Sequence, residues 1–393
     1  MTPPLSRYRV LDLTRVRSGP TAVRQFADWG ADIVMIEPVQ NSEIGIGGRM
    51  RSDFQNLNRN KRSLALDLKS ARGKEVLLRL ARQADLLFEN FRPDVKHRLG
   101  IDYETLHAVN PRLVYVSISG FGEDGPYSLR PGVDQIAQGL GGLMSVTGLP
   151  GQGPVRAGIA IADSAAGLYA AIGAMTALLE REATGLGRHV TTSLLQAQVA
   201  LMDFQAARWL VEGEIPEQTG NGHPTMAPMG LFKTADGAIN IAPLGSGMFG
   251  SLCDALGLQR LKADPRFAED KRIANRDELN REIEAVILTR TSAEWVDLLN
   301  ARGIPSGPIH RMNEVFADPQ VQHLHMAVPV DKPHPRLGGL TLVGQPFAMS
   351  GVPSGIRAPA PEQGEHSREI LSSYGFAEAE IDALIAENIV ATG

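Results

Sequence analysis

Between Arg9 and Gly120 short apolar runs alternate with helical periodicity, and nothing else in the chain narrows its fold so far. Arg9–Thr14 reads as a buried strand, Gly19–Trp29 as a helix with Ala22, Val23, Phe26 and Ala27 on one face, and Ala31–Glu37 as a second strand. Gly30 stands where a helix-ending glycine belongs. The pattern repeats through Ser63–Leu68, a helix over Ser70–Ala84, Asp85–Phe91, a short helix ending at Arg98-Leu99-Gly100, a helix over Tyr103–Asn110, and Leu113–Gly120. Strand–helix–strand units of this kind give parallel strands with helices on both faces. The expected class is α/β, with a doubly wound, Rossmann-like parallel sheet in a large domain and a smaller α+β domain. Ligands of such sheets bind beyond the carboxyl ends of the strands. That rule points to Thr14–Gly19, Glu37 onward, Asn90-Phe91 and Ser119–Gly122.

At 393 residues two domains are expected. The large domain is placed at 1–213, a Pro/Gly/Asn-rich linker at 214–228, the small α+β domain at 229–310, and an extended return segment with two terminal helices at 311–393. A helix over Gln196–Gly213 closes the large domain. In the small domain a hairpin is expected over Met229–Thr234 and Ala238–Ala242, with helices at Phe249–Leu256, Arg276–Leu288 and Ser292–Arg302. The apolar residues of the return segment, Leu340, Leu342, Val343, Phe347 and Met349, predict a docked tail.

Charge and motif content remove several function classes. A net charge of −5 disfavours a nucleic-acid partner. The single cysteine, Cys253, rules out an internal disulfide and a cysteine-based zinc site, and fits a reducing compartment. No metal is expected, because the nine histidines show no ligand spacing. The first residues lack the apolar stretch of a signal peptide, and no apolar run of membrane-spanning length is read, so a cytoplasmic protein without a membrane partner is expected. The dinucleotide fingerprint, the Walker loop and the nucleophile elbow are all missing.

Val155–Leu195 holds the most informative acid. Asp163-Ser164 follows an apolar run and precedes a helix of small residues, Ala165–Leu179. By position alone an acid there is more often a helix cap than a nucleophile. A helix dipole favours its ionised form. The small residues behind it allow close approach of a backbone or a ligand. A second feature, Pro38–Asn60, carries Gly45, Gly47, Gly48, Arg49, Arg51 and Arg59. It reads equally as an anion-binding loop and as a solvated surface loop.

Four segments carry a family resemblance: RVLDLTRVRSGPTAVRQFADWGADIVMIEP, the stretch from NRNKRSLALDL through LLFENFRPDVKHRLGIDYETL, GPYSLRPGVDQIAQGLGGLMSVTG, and ADSAAGLYAAIGAMTALLEREATGLGRHVTTSLL. GNGHPTMAP, RGIPSGPI, ADPQVQ and APAPEQGEHSREIL extend it nearly end to end. The chain resembles the family III CoA-transferases, the group that includes formyl-CoA:oxalate CoA-transferase. The resemblance implies coenzyme A, as an acyl-CoA, and a small carboxylic acid as substrates. It also implies an interlocked homodimer. It makes Asp163 the catalytic nucleophile, passing through a mixed anhydride and an aspartyl-CoA thioester.

Further positions carry over individually. The resemblance places Val16, Arg17, Leu66, Asn90, Phe91, Arg98, Leu99 and Arg130 at the CoA site, and Asp134 and Gln138 near the nucleophile. Read by themselves, Asn90 also suits a turn cap, Phe91 a core residue and Arg98 a helix C-terminal cation. Arg49 and Arg51 are candidates for holding the acid, hinting at a dicarboxylate. Related acyl-CoA racemases carry a histidine before the residue matching Asp134. Here Val133 stands in that place, which disfavours racemase chemistry. The tetraglycine loop of formyl-CoA transferase is also missing, with only Gly220-Asn-Gly222 and Gly245-Ser-Gly247 in the small domain. Racemase activity and a non-catalytic CoA-binding role remain as the alternatives to CoA transfer.

Overall fold

The computed structural model describes residues 2–40, 48–352 and 354–393. The chain forms two compact units. One comprises the chain up to Leu143, Arg156–Gly213 and Gln320–Gly393; the other comprises Met144–Val155 and Glu214–Pro319. The segments read from sequence as a linker (214–228) and as the start of the return segment (311–319) therefore lie in the second unit, together with a short insertion from the middle of the chain.

The first unit is built in chain order from β1 (Arg9–Asp12), α1 (Ser18–Asp28), β2 (Asp32–Glu37), α2 (Ser52–Asn58), β3 (Arg62–Leu66), α3 (Ala71–Ala81), β4 (Leu86–Glu89), α4 (Pro93–Leu99), α5 (Tyr103–Val109), β5 (Val114–Ser119) and α6 (Asp134–Leu140). A single turn, α7 (Leu143–Val146), precedes α8 (Ile161–Thr184), β6 (His189–Ser193) and α9 (Leu194–Leu201). The second unit holds the antiparallel strands β7 (Gly230–Lys233), β8 (Ala238–Ile241) and β9 (Ser306–Pro308). In the first unit β10 (Ala327–Pro329) pairs with β11 (Thr341–Val343), and β12 (Val390–Ala391) ends the chain's last structured stretch.

The main sheet runs β12-β3-β2-β1-β4-β5-β6. Its six larger strands are parallel, and β12 joins the β3 edge antiparallel, with Val390 opposite Leu66. Alternate side chains go to opposite faces. Val10, Ile33, Phe88 and Val116 therefore pack under α1 and α8, while Leu11, Val34, Leu64 and Leu87 pack under α3, α5 and the terminal helices Ser367–Ser373 and Glu378–Ala386. Both faces are covered, which is why the strands read as near-continuous apolar runs. Each such side chain, fully buried, contributes about 1.5–3 kcal/mol. The two-residue β12 is too short to leave a period in the sequence.

Glycine sets how closely α8 approaches α1. A Cβ on Gly167 would lie 2.4 Å from the Ser18 carbonyl oxygen and 2.8 Å from the Thr21 Cβ. The small-residue run thus serves helix packing at this point. At 24 residues, α8 is long and apolar enough to cross a bilayer, with a best-window mean hydropathy of 1.3, contrary to the expectation that no run reaches that length. Half of that window is buried inside the protein, as in a core helix.

Two other expectations are corrected. The helix expected over Gln196–Gly213 breaks after α9, where Asp203 takes φ +41°, and resumes through Asp203–Ala207 into a wider turn at Arg208–Glu212. In the return segment Val343, Phe347 and Met349 remain exposed, although Phe347 stacks on Trp29 with centroids 5.0 Å apart. That segment is held largely by polar contacts: the Gln345 amide donates to Asp28 at 2.5 Å, and Arg357 donates to the Ala27 carbonyl at 2.6 Å. Gly245 and Gly247, one of the two glycine pairs in the small domain, make the first turn of the helix Gly245–Leu256.

In the second unit β7 and β8 form the expected hairpin, and Ser306–Pro308 adds a third strand antiparallel to β8. Its core gathers Phe232, Ile239, Leu252, Ile283 and Trp295, and the Trp295 indole N–H donates to the Ile287 carbonyl at 2.7 Å.

Candidate active site

The strand order reverses between β1 and β4, where a doubly wound sheet opens its crevice. A cleft of about 1040 Å³ occupies that point in the first unit. Its walls come from the chain after β1 (Arg15–Ser18), after β4 (Asn90–Arg92), the end of β5 (Ile118–Gly120), the start of α6 (Gly132–Gln135) and the approach to α8 (Arg156, Gly158–Ala160, Asp163, Ser164). Three of the four places expected from the sheet rule line it. Glu37, the fourth, turns inward: its carboxylate accepts from the Ser63 hydroxyl and pairs with Arg49, both at 2.5 Å.

The β1–β4 junction is locked by a reciprocal pair. The Asn90 side-chain oxygen accepts the Arg15 N–H at 2.8 Å, and its amide donates to the Arg15 carbonyl at 2.8 Å. The next residue, Val16, takes φ +62°. A β-branched residue there is strained, by about 1–3 kcal/mol. Val16 is left exposed on the cleft wall.

Asp163 lies in the first turn of α8 but does not cap it; the cap position is Ala160. Asp134 satisfies the helix terminus instead. Its Oδ1 accepts the Ala162 N–H at 2.9 Å and the Asp163 N–H at 3.4 Å. Gln138, fully buried, donates to the other Asp134 oxygen at 2.6 Å and to the Ile159 carbonyl at 3.1 Å, and accepts the Ala157 N–H at 2.9 Å. The expected cap role of Asp163 thus belongs to Asp134, and the Asp163 carboxylate faces the cleft. Burial, helped by the nearby Asp134 charge, pushes the Asp163 carboxyl up to about 6, while Arg17 and a hydrogen bond from Ser18 pull it down. The helix dipole favours the ionised form, but burial, the largest influence on this carboxyl, acts against it.

The other sequence-derived residues divide. Val16, Arg17, Asn90, Phe91 and Asp134 line the cleft with Asp163, and Gln138 stands behind it. Arg17 donates to Asp53 at 2.9 Å. Leu66 is 1% exposed in the sheet core, so its side chain offers no surface to CoA. Leu99 packs partly buried against the same core. Arg98 is exposed on α4 beside Asp94, and Arg130 lies 3.6 Å over the Tyr127 ring; neither lines the cleft. Arg49 is not free to hold an acid, because it pairs with buried Glu37, donates to the Pro361 carbonyl and stacks over Phe54. Arg51 is exposed at the N-cap of α2. Gly45 and Gly47 lie outside the described residues.

Sequence reasoning missed a buried ion group behind the cleft. Lys96 Nζ pairs with Glu89 at 2.8 Å, with Glu123, and with the Ser117 hydroxyl at 3.0 Å. Glu89 also accepts the Phe91 N–H at 2.9 Å. Lys96 thereby ties the chain after β4 to the chain after β5, and a lysine in the short polar helix PDVKHRL gives no sequence hint of this. Burial raises the Glu89 carboxyl, and Lys96 opposes the shift.

Among the described residues, the donor atoms of His97, Asp102 and Glu104 lie within 4.8 Å of one another, a metal-compatible spacing. Both Asp102 oxygens already accept from Thr105 as it caps α5. None of the three lines the cleft.

Known proteins are similar to the chain over nearly its whole length. A succinate–glutarate CoA-transferase of Agrobacterium fabrum is 37% identical, the match covering 94% of this chain and 95% of that protein. An acetyl-CoA:oxalate CoA-transferase of Acetobacter aceti is 34% identical, over 96% and 97%. The crystal structure of a CAIB/BAIF family protein from Brucella suis superposes with a TM-score of 0.83 at 33% identity, covering 95% of this chain and all of that one. The model of CoA-transferase family III matches residues 5–367, and the chain belongs to that family.

Proposed function

We propose that the protein transfers coenzyme A between an acyl-CoA and a dicarboxylic acid, with Asp163 as covalent nucleophile. CoA transfer itself follows from the family. The observation that carries the nucleophile is Asp163 in the first turn of α8, facing the cleft and partly desolvated, yet ionised for the most part at neutral pH. Less hydration makes a carboxylate a better nucleophile, and ionisation keeps it one.

The steps balance without water or an external proton. An Asp163 oxygen attacks the thioester carbonyl carbon, the C–S bond breaks and CoA thiolate leaves, giving a mixed anhydride. The thiolate attacks the Asp163 acyl carbon, releasing the donor acid and forming an aspartyl thioester. The acceptor carboxylate then displaces the thiolate. Attack of the thiolate on the acceptor's acyl carbon yields the new acyl-CoA and restores Asp163. Because Asp134 takes up the Ala162 and Asp163 N–H groups, those donors are engaged and are not counted as an oxyanion hole.

A dicarboxylate is supported by the relatives named for glutarate and oxalate, and by the arginines around the cleft. Racemase chemistry is disfavoured, because Val133, on the cleft wall before Asp134, carries no proton to exchange. We place the enzyme in the cytoplasm as an interlocked homodimer. Exposed apolar residues on α6, α8 and α9, including Ile136, Leu140, Ile172, Leu179 and Val199, support a covered face.

Incubation with succinyl-CoA and a panel of mono- and dicarboxylic acids, read by mass spectrometry, tests the reading. New acyl-CoA species and a hydroxylamine-sensitive adduct on Asp163 are expected. Undiminished transfer by Asp163→Ala would sink the covalent mechanism.

A further inference from the structure

We infer that Arg156 receives the distal carboxylate of the acid substrate and so sets the preference for dicarboxylates over monocarboxylates. The inference rests on the dicarboxylate reading above and assigns the residue that enforces it.

Arg156 lines the same cleft as Asp163, on the stretch that leads into α8. Its side chain is 46% exposed, and its one ion pair, to Asp134, is long at 3.9 Å. Among the described residues it makes no hydrogen bond to protein, which leaves a planar fork of donors free to take a carboxylate in two-point contact. The other cleft arginines are differently engaged. Arg15 donates to the Thr14 and Ile36 carbonyls, Arg17 donates to Asp53, and Arg92, on the chain after β4, lies 3.5 Å from Asp94.

Position favours Arg156 as well. Asp134 places one oxygen against the Asp163 backbone nitrogen and the other towards the Arg156 guanidinium. One carboxylate therefore lies between the first turn that carries the nucleophile and Arg156, and all three line the same cleft. The stretch is also fixed in place. Buried Gln138 holds Ala157 and Ile159 on either side of Gly158, and a Cβ on Gly158 would meet nothing within 4 Å, so the cleft wall is open at that residue. Asp134 is already satisfied by Gln138 and two backbone N–H groups. A substrate carboxylate can take its place on Arg156 without leaving it stranded.

The test uses the full chain, succinyl-CoA at saturation, and glutarate or valerate as acceptor. The two acids have equal length and differ in the distal carboxylate. In a two-stage exchange kcat/KM for the acceptor reports the second stage alone. Arg156→Gln is expected to lower the glutarate-to-valerate ratio of kcat/KM by about 10- to 100-fold, mainly through the glutarate KM, with Arg156→Lys recovering part of it. If valerate is not turned over, the ratio of the two acids' inhibition constants replaces it. An unchanged ratio overturns the assignment. So does an equal loss with both acids, which would make Arg156 a contact to CoA. A parent protein that uses no dicarboxylate at all would instead remove the reading on which the inference rests.

Discussion

Asp134 caps the helix that carries Asp163: its Oδ1 lies 2.9 Å from the Ala162 nitrogen and 3.4 Å from that of Asp163. One buried acid thus positions a second and raises its pKa. The two effects separate in mutants. Asp134→Asn keeps an oxygen for the N–H groups but removes the charge, so the acid limb of kcat/KM for acyl-CoA is expected to move to lower pH. Asp134→Ala removes the cap as well and is expected to cost about 0.5–2 kcal/mol of stability. Acid limbs that coincide in the parent and Asp134→Asn would show that the charge does not act on Asp163.

In the parent, the Asp163 carboxyl near 6 predicts that kcat/KM for acyl-CoA rises with pH through about 6 and then levels. The protonated carboxyl is no nucleophile. A profile already flat from pH 5 to 7 would count against Asp163 as the titrating group.

The same shift has a cost in stability. The folded pKa lies above the ordinary 3.8, so between pH 3.8 and about 6 the folded state binds more protons than the unfolded one. Stability from this group therefore falls as pH rises through that window. Asp163→Asn is expected to be more stable than the parent at pH 7, by on the order of 2 kcal/mol, with the gain fading towards pH 4. Transfer should fall about 10³-fold or more. Urea unfolding at pH 4 and pH 7 measures the first, and acyl-CoA exchange the second.

Lys96 is buried with Glu89 and Glu123 as its partners. Lys96→Met leaves both acids without their cation and is expected to cost about 3–5 kcal/mol. The loss should shrink at low pH as the Glu89 carboxyl, already raised by burial, takes up a proton. The triple variant Lys96→Met, Glu89→Gln, Glu123→Gln should recover much of it. Equal stability of single and triple variants would show that the ion group is not the source of the loss.

The legible part of the fold follows from period and burial. β1 to β5 are covered on both faces, so Val10-Leu11 or Leu86-Leu87-Phe88 appear as unbroken apolar runs in the sequence. Asn90 and Asp163 stood out because the strand-end rule and the start of α8 mark those places. What was hidden depends on contacts distant along the chain. Asp134 reaches Ala162 over 28 residues, and Arg49 reaches Pro361 over 312. No local pattern distinguishes a cap supplied from another helix, or an arginine already spent on Glu37. The backbone strain of Val16 has no side-chain signature, since valine is a poor choice for φ +62°.

That strain gives a last prediction about the β1–β4 junction. Val16 keeps its left-handed backbone while Asn90 grips both the N–H and the carbonyl of Arg15 immediately before it. Asn90→Ala removes both bonds and lets the backbone at Val16 relax towards an unstrained conformation. The expected result is a loss of about 1–3 kcal/mol in stability and a higher KM for acyl-CoA. Val16→Gly removes the steric penalty instead, at some cost in unfolded-state entropy, and should change stability by less than about 1 kcal/mol. In the double variant the two changes should not add, because relaxation at residue 16 no longer releases strain once glycine is there. A cycle of the four proteins by urea unfolding measures the coupling, and strict additivity would show that Asn90 does not hold Val16 in its strained form.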